Sequence, residues 1–216
     1  MRTMIAIPCM DMVHTDFLRS CLGMDVDGEV QWTTCQSSLI YDARNKLAEL
    51  AIDGEFDRVL WLDSDMIFDR YLFRRLSEHL DLGREMIAAL YFGRKEPIRP
   101  MIYSALRREQ LPTGVMAARA DNFDDYQRDS LFPIAACGFG AVMMTTDLIR
   151  RVRDAYGLPF FPSLGFGEDL AFCRRAAALG VEMWCDPTAR IGHIAHVPVY
   201  PEDHEEAIKA RERFGG

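Results

Sequence analysis

The sequence predicts an α/β fold in one domain: a mixed, mainly parallel central sheet flanked by helices. Three observations carry this. Short, nearly continuous apolar runs recur at residues 4–8, 59–62 and 86–91, as strands buried on both faces require. Segments with helical apolar spacing lie between them. Turn and capping residues fall at the junctions, and strand–helix alternation of this kind builds parallel sheets.

The first strand is expected over 4–8. From Ile40, the apolar residues Ile40, Ala43, Leu47, Leu50 and Ala51 recur at helical spacing, and Gly54 marks the exit. The run RVLWL then forms the central strand. Asp69 is placed to cap a helix whose inner face carries Leu72, Phe73, Leu76 and Leu80, with Gly83 just past its end. Another strand follows at 86–91. The segment 93–133 is richer in Pro, Arg, Asp and Gln and weakly periodic. It reads as a long excursion over the sheet's edge with one or two short strands, the kind of segment that carries function. In IAACGFGAVMMTT, two glycines flank Phe139 before a strand at 141–145, and Thr146 can cap a helix over 147–155. The loop GLPFFPSLGFGED leads into a helix over about 168–179, stopped by Gly180. Two short strands, 182–185 and 190–192, and a polar C-terminal helix complete the reading.

A chain of 216 residues, 49% hydrophobic and 27% charged, is large enough for one substantial core. A net charge of -8 argues against general nucleic-acid binding, which needs a basic surface. The opening MRTMIAIPCMDMVHTDF has a short apolar run that soon meets Pro8 and then charge, so neither a signal peptide nor a membrane span is expected. The six cysteines form no CxxC pair and several fall in core segments, which points to free thiols and a cytoplasmic protein.

Three polar features fall at the ends of regular elements, where α/β sheets place their chemistry. These are Asp63-Ser64-Asp65 after the central strand, Glu168-Asp169 at a helix mouth, and His193 with His196 after the last strand. Asp63 and Asp65 repel each other unless water or a cation intervenes. Carboxylates with an imidazole suit Mn2+ or Mg2+ and leave room for phosphate oxygens, whereas no zinc pattern is present. Each piece alone also suits a turn, a helix cap favoured by the dipole, or an ordinary loop histidine.

Taken in order, LDSDM, CGFGAVMM, LGFGEDLAFCRRAAALG and RIGHIAH resemble a glycosyltransferase of the GT-A fold, in the broad family 2-like group. The resemblance runs from IAIP through DARNKLAELAI to the histidines. It implies a nucleotide-diphospho-sugar transferase domain over 1–216. Its nucleotide-binding half is about 1–92, its acceptor-binding half about 93–200, and 201–216 form the C-terminal helix. It implies a divalent metal on Asp65, with Asp63 on the ribose or reaching the metal through water, and His193 or His196 completing the site. Asp169 becomes the base that deprotonates the acceptor hydroxyl, in a single inverting displacement, and Glu168 helps to hold the acceptor. Pro8, Cys9 and Asp11 would meet the nucleobase, Arg44 and Asn45 would lie beside the nucleotide with Ser64, and Gly138, Phe139 and Gly140 would lie beneath the donor sugar or acceptor.

No acidic partner for the nucleobase is evident in VQWTTCQSS, so a UDP-sugar is the first expectation and a GDP-sugar the second. The acceptor stays open among glycan, lipid-linked glycan, protein side chain and modified base. Arg107, Arg108 and Arg119 could meet an anionic acceptor or form a solvated basic loop. Two rivals remain. A non-catalytic nucleotide-sugar or carbohydrate-binding module would bind without turnover. A sugar-phosphate nucleotidyltransferase would need a basic Gly-rich loop after the first strand, which IAIPCMDMVH does not supply.

Overall fold

The computed structural model describes residues 1–95 and 97–195. Its elements run β1 (Arg2–Cys9), α1 (Thr15–Gly23), β2 (Glu29–Gln36), α2 (Ile40–Asp53), β3 (Arg58–Leu62), β4 (Met66–Phe68), α3 (Leu72–Asp81), β5 (Met86–Leu90), β6 (Ile102–Gln110), β7 (Met116–Asn122), β8 (Phe132–Ile134), β9 (Ala136–Cys137), β10 (Ala141–Thr145), α4 (Thr146–Tyr156), α5 (Glu168–Ala178) and β11 (Met183–His193). His196 and the helix expected over 201–216 lie outside the described residues. Among those described, no helix is long and apolar enough to cross a membrane.

The central sheet has strand order β2-β1-β3-β10-β5-β11-β4, with β8 also paired to β11. Strands β1, β2, β3, β5 and β11 share one direction, while β10, β4 and β8 run against them. The mainly parallel sheet is therefore as expected. Strand alternation sorts its side chains into two buried layers. Met4, Ala6, Val59, Trp61, Val142 and Met144 join one layer with Leu47 of α2, Leu148 of α4 and Phe172 of α5. Ile5, Ile7, Leu60, Leu62, Ala141 and Met143 join the other with Phe17 of α1 and Leu72 and Phe73 of α3. Every residue of β3 is buried, Arg58 included. The Arg58 guanidinium is tolerated because it donates to Thr3 Oγ1 at 2.9 Å, pairs with Asp81 at 3.1 Å and lies 5.4 Å from the Phe73 ring centroid.

The direction of β10 positions the chemistry. Parallel β1, β3, β5 and β11 all end at one rim, whereas antiparallel β10 begins there. Ala141 pairs with Leu62, and the Asp63 amide donates to the Gly140 carbonyl at 3.1 Å. The Gly-Phe-Gly turn before β10 is thereby laid against the carboxylates that follow β3.

Several local expectations are corrected. Helix α1 was not foreseen, because Phe17 is its only buried residue. The segment 93–133 holds a nine-residue and a seven-residue strand, β6 and β7, which with β9 make a second three-stranded sheet. Their side chains are nearly all exposed or half-buried and gave little apolar signal. Asp69 Oδ1 accepts from Tyr71 in a turn before α3 rather than capping the helix itself. Thr145, not Thr146, caps α4 by accepting from the Leu148 amide at 3.2 Å. The two last strands are one, β11, broken in register between Asp186 and Arg190.

Candidate active site

Arg44 is the centre of the site. Ala43, Leu47, Ala48 and Ala51 seat α2 on the sheet with no exposure, which directs Arg44 beneath the rim, where it is 2% exposed. Its Nη2 donates to Asp63 Oδ1 at 2.7 Å, and its Nε lies 3.5 Å from Glu168 Oε1. Its guanidinium stands 5.3 Å from the Phe139 ring centroid and 5.9 Å from that of Trp61. Burial alone would ease the proton off Arg44, but Asp63, Glu168 and Asp169 outweigh it and hold the charge more firmly. One cation thus ties the acidic triplet to the acidic pair.

On the other side of the triplet, Asp65 Oδ2 lies 3.4 Å from His193 Nε2 and 2.9 Å from Arg94 Nη1. His193 Nδ1 lies 3.0 Å from the Phe92 carbonyl. A carbonyl only accepts, so Nδ1 carries the proton and Nε2 is the nitrogen turned to Asp65. Burial pushes the Asp65 carboxyl up, but His193, when Nε2 also carries a proton, and Arg94 pull harder and leave it below the ordinary range. Asp63 goes the other way, raised by burial against the pull of Arg44. Asp169 is raised from the ordinary 3.8 to about 6, first by burial and then by the charge of Glu168.

The structure brings Asp63, Asp65, His193, Glu168 and Asp169 to one rim, as expected. Pro8 and Cys9 line a cavity of about 270 Å³ with Asp63, Ser64 and Asp65, whereas Asp11 is exposed and outside it. Asn45 does not face a ligand: its side-chain oxygen accepts from the buried Phe160 amide at 2.9 Å. Phe139 is 1% exposed and packs on Phe160 and Phe172, so it supports Arg44 from below instead of touching a sugar. Arg107 and Arg119 pair with Asp121 inside the β6–β7 hairpin.

Five residues at the site escaped sequence reasoning. Ser37, Ser38 and Ile40 close the cavity opposite Pro8. Arg94 sits on Asp65. Tyr91, 5% exposed, joins the two sides: its ring meets His193 edge-on at 5.5 Å. A Cβ on Gly138 would stand 2.1 Å from the Tyr91 hydroxyl and 3.6 Å from Asp169 Oδ2. The sequence signal was the pair of glycines, which read equally as a turn and which the structure places against Tyr91. Gly138→Ala is therefore expected to cost about 2 kcal/mol by overpacking, seen as a lower urea midpoint. Tyr91→Phe in the same chain should recover part of it.

The donor set fits a hard divalent cation. Four acids, Asp63, Asp65, Glu168 and Asp169, face two guanidiniums, so the site is short of positive charge. Asp65 and His193 offer oxygen and nitrogen ligands on one side. Among the described residues, no three carboxylate, imidazole or thiol groups form a closed cage, so substrate oxygens and water would have to supply the remaining positions.

The mixed, mainly parallel sheet flanked by helices is the GT-A fold. The chain is similar to the crystal structure of A197 from STIV, with TM-score 0.58 and 14% identity over 93% of this chain and 100% of that one. It is also similar to GalNAc-T7 with UDP, GalNAc and Mn2+ (TM-score 0.59, 11% identity, 98% of this chain but 48% of that one). A third likeness is to S. aureus TarS 1–349, with TM-score 0.55 and 15% identity over 97% of this chain and 64% of that one. No protein-family model and no curated protein sequence matches the chain.

Proposed function

We propose that this chain is a metal-dependent glycosyltransferase that moves a sugar from a nucleotide-diphosphate donor, a UDP-sugar first, to a hydroxyl acceptor. The observation that carries the reading is the convergence of Asp65 and His193 with Glu168 and Asp169 at the rim where the parallel strands end. The fold supports it, and GalNAc-T7, of the same fold, has been crystallised with UDP and Mn2+. In this reading residues of about 1–92 bind the nucleotide and those of about 93–200 the acceptor.

Asp65 and His193 would hold Mn2+ or Mg2+, which when bound supplies positive charge to the departing nucleoside diphosphate. Pro8, Cys9, Ser37 and Ser38 form the walls for the nucleoside. Asp63, locked by Arg44, is turned to the same cavity with Ser64 and suits a ribose hydroxyl. Asp169 takes the acceptor proton, and a carboxyl with a value near 6 is deprotonated at neutral pH yet basic enough to accept it. Glu168 keeps that basicity high by repulsion and remains available to an acceptor hydroxyl. A base opposite the leaving group gives single displacement with inversion.

The test is a panel of nucleotide sugars assayed for Mn2+-dependent hydrolysis and transfer, with one donor expected to turn over well above the others. Saturable binding of UDP and Mn2+ with no turnover of any donor would instead assign a binding module. Arg94 offers a sharper check on the metal. Because it occupies Asp65 Oδ2, Arg94→Gln should tighten Mn2+ binding about tenfold, worth about 1.4 kcal/mol, by calorimetric titration. Unchanged affinity would remove Asp65 from the ligand set.

A further inference from the structure

A second cavity, of about 520 Å³, opens where β11 breaks register, and it has the size of a small-ligand site. Arg75, Arg128 and Arg190 line it, with one carboxylate, Asp129. In a chain of net charge -8, many of the described arginines are spent on acids: Arg107 and Arg119, for example, on Asp121. Among the described residues, these three arginines have no carboxylate within ion-pair distance. A pocket that gathers guanidiniums unpaired with carboxylates in an acidic protein favours anions, and guanidinium geometry suits carboxylate and phosphate.

The wall is constructed rather than incidental. Buried Asp186 accepts from the Thr188 amide at 2.8 Å and its hydroxyl at 2.6 Å, and its other oxygen meets His79 at 3.1 Å. Thr188 in turn accepts from Arg75 at 3.2 Å. The carboxylate is thus consumed in fixing the bulge, which aligns Arg190 with Leu90 on the cavity wall. Two aromatic rings complete the lining. Phe92 is 37% exposed, and Tyr126 is held by stacking on Phe132 at 5.9 Å. Flat apolar surface beside guanidiniums matches a sugar ring bearing an acidic group.

We propose that this cavity binds an anionic saccharide, through carboxylate or phosphate on Arg75, Arg128 and Arg190 and through the sugar face on Phe92 and Tyr126. Phe92 also fixes His193 by its carbonyl, so the cavity shares a wall residue with the transfer site. Taking the bound saccharide as the acceptor rests on the transferase reading, but the binding itself does not.

Calorimetric titration without metal or nucleotide tests it, using galacturonic acid tetrasaccharide, glucose 6-phosphate and a neutral glucose tetrasaccharide as probes. At least one acidic probe should bind about tenfold tighter than the neutral one, and which acidic probe binds identifies the anion. Arg128→Gln with Arg190→Gln should remove about tenfold of that affinity, while UDP–Mn2+ binding and the urea midpoint stay unchanged. Arg75 is kept, since it anchors Thr188. Equal binding of acidic and neutral probes, no binding of any probe, or wild-type affinity in the double variant would each overturn the proposal. Failure of wild-type protein to bind UDP–Mn2+ would overturn the transferase reading and leave the saccharide result standing on its own.

Discussion

Asp169→Asn is expected to reduce sugar transfer about a thousandfold, the middle of the range for a positioned base, while UDP–Mn2+ binding stays within about twofold of wild type. The amide keeps the size and cannot take a proton. It also removes one of the two charges that repel each other at the mouth of α5, so the variant should fold at least as well. The wild-type rate should rise with pH through about 6 and level off above it, because burial and Glu168 hold the carboxyl protonated below that value. The stability term has the opposite sense. The folded-state value lies above the ordinary 3.8, so the neutral form favours folding at low pH and that advantage is lost as pH rises from about 4 to about 6. Wild-type turnover in the Asn variant would mean that another group is the base.

Arg44→Met should be the most destabilising single change at the site. It leaves the Asp63 carboxylate, whose side chain is 27% exposed, without its 2.7 Å partner and strips Glu168 of its nearest cation. Removing one member of a buried pair costs about 3–5 kcal/mol, and the partial exposure of Asp63 puts this case near 3 kcal/mol. Urea denaturation at pH 7 reads the loss directly. The gap from wild type should narrow as pH falls, because Asp63, already raised by burial, then protonates and no longer needs a counter-charge. A variant as stable as wild type would show that Arg44 does not balance these acids.

Much of this was legible in the sequence because the apolar runs are short and continuous. Val59 to Leu62 read as a strand buried on both faces, as β3 is, and that located where Asp63 and Asp65 leave the sheet. Strand β10 was placed to the residue, since CGFG and Thr146 flank it. Its antiparallel direction was not readable, and that direction is what sets Gly140 beside Asp63. Arg44 was expected beside the nucleotide from the resemblance alone, whereas its bridge from Asp63 to Glu168 joins residues distant in the chain and needs the folded packing. Asn45 and Phe139 were expected at the ligand because they adjoin Arg44, Gly138 and Gly140 in the motifs that carry the resemblance. Their burial against Phe160 gives them scaffold roles. Tyr91 read as the last apolar residue of a strand and Arg94 as a loop charge, since nothing local marks either as facing His193 or Asp65. The β6–β7 hairpin was underestimated for a simpler reason: strands with one wet face and a thin apolar face leave a weak alternation.

The most direct test of the shared metal and nucleotide site is the affinity of UDP measured with and without Mn2+. Binding should be at least about tenfold tighter with Mn2+, and Asp65→Ala should abolish the difference. The same affinity with and without the metal, or no UDP binding at all, would contradict the claim that Asp65 and His193 complete a metal–diphosphate site at this rim.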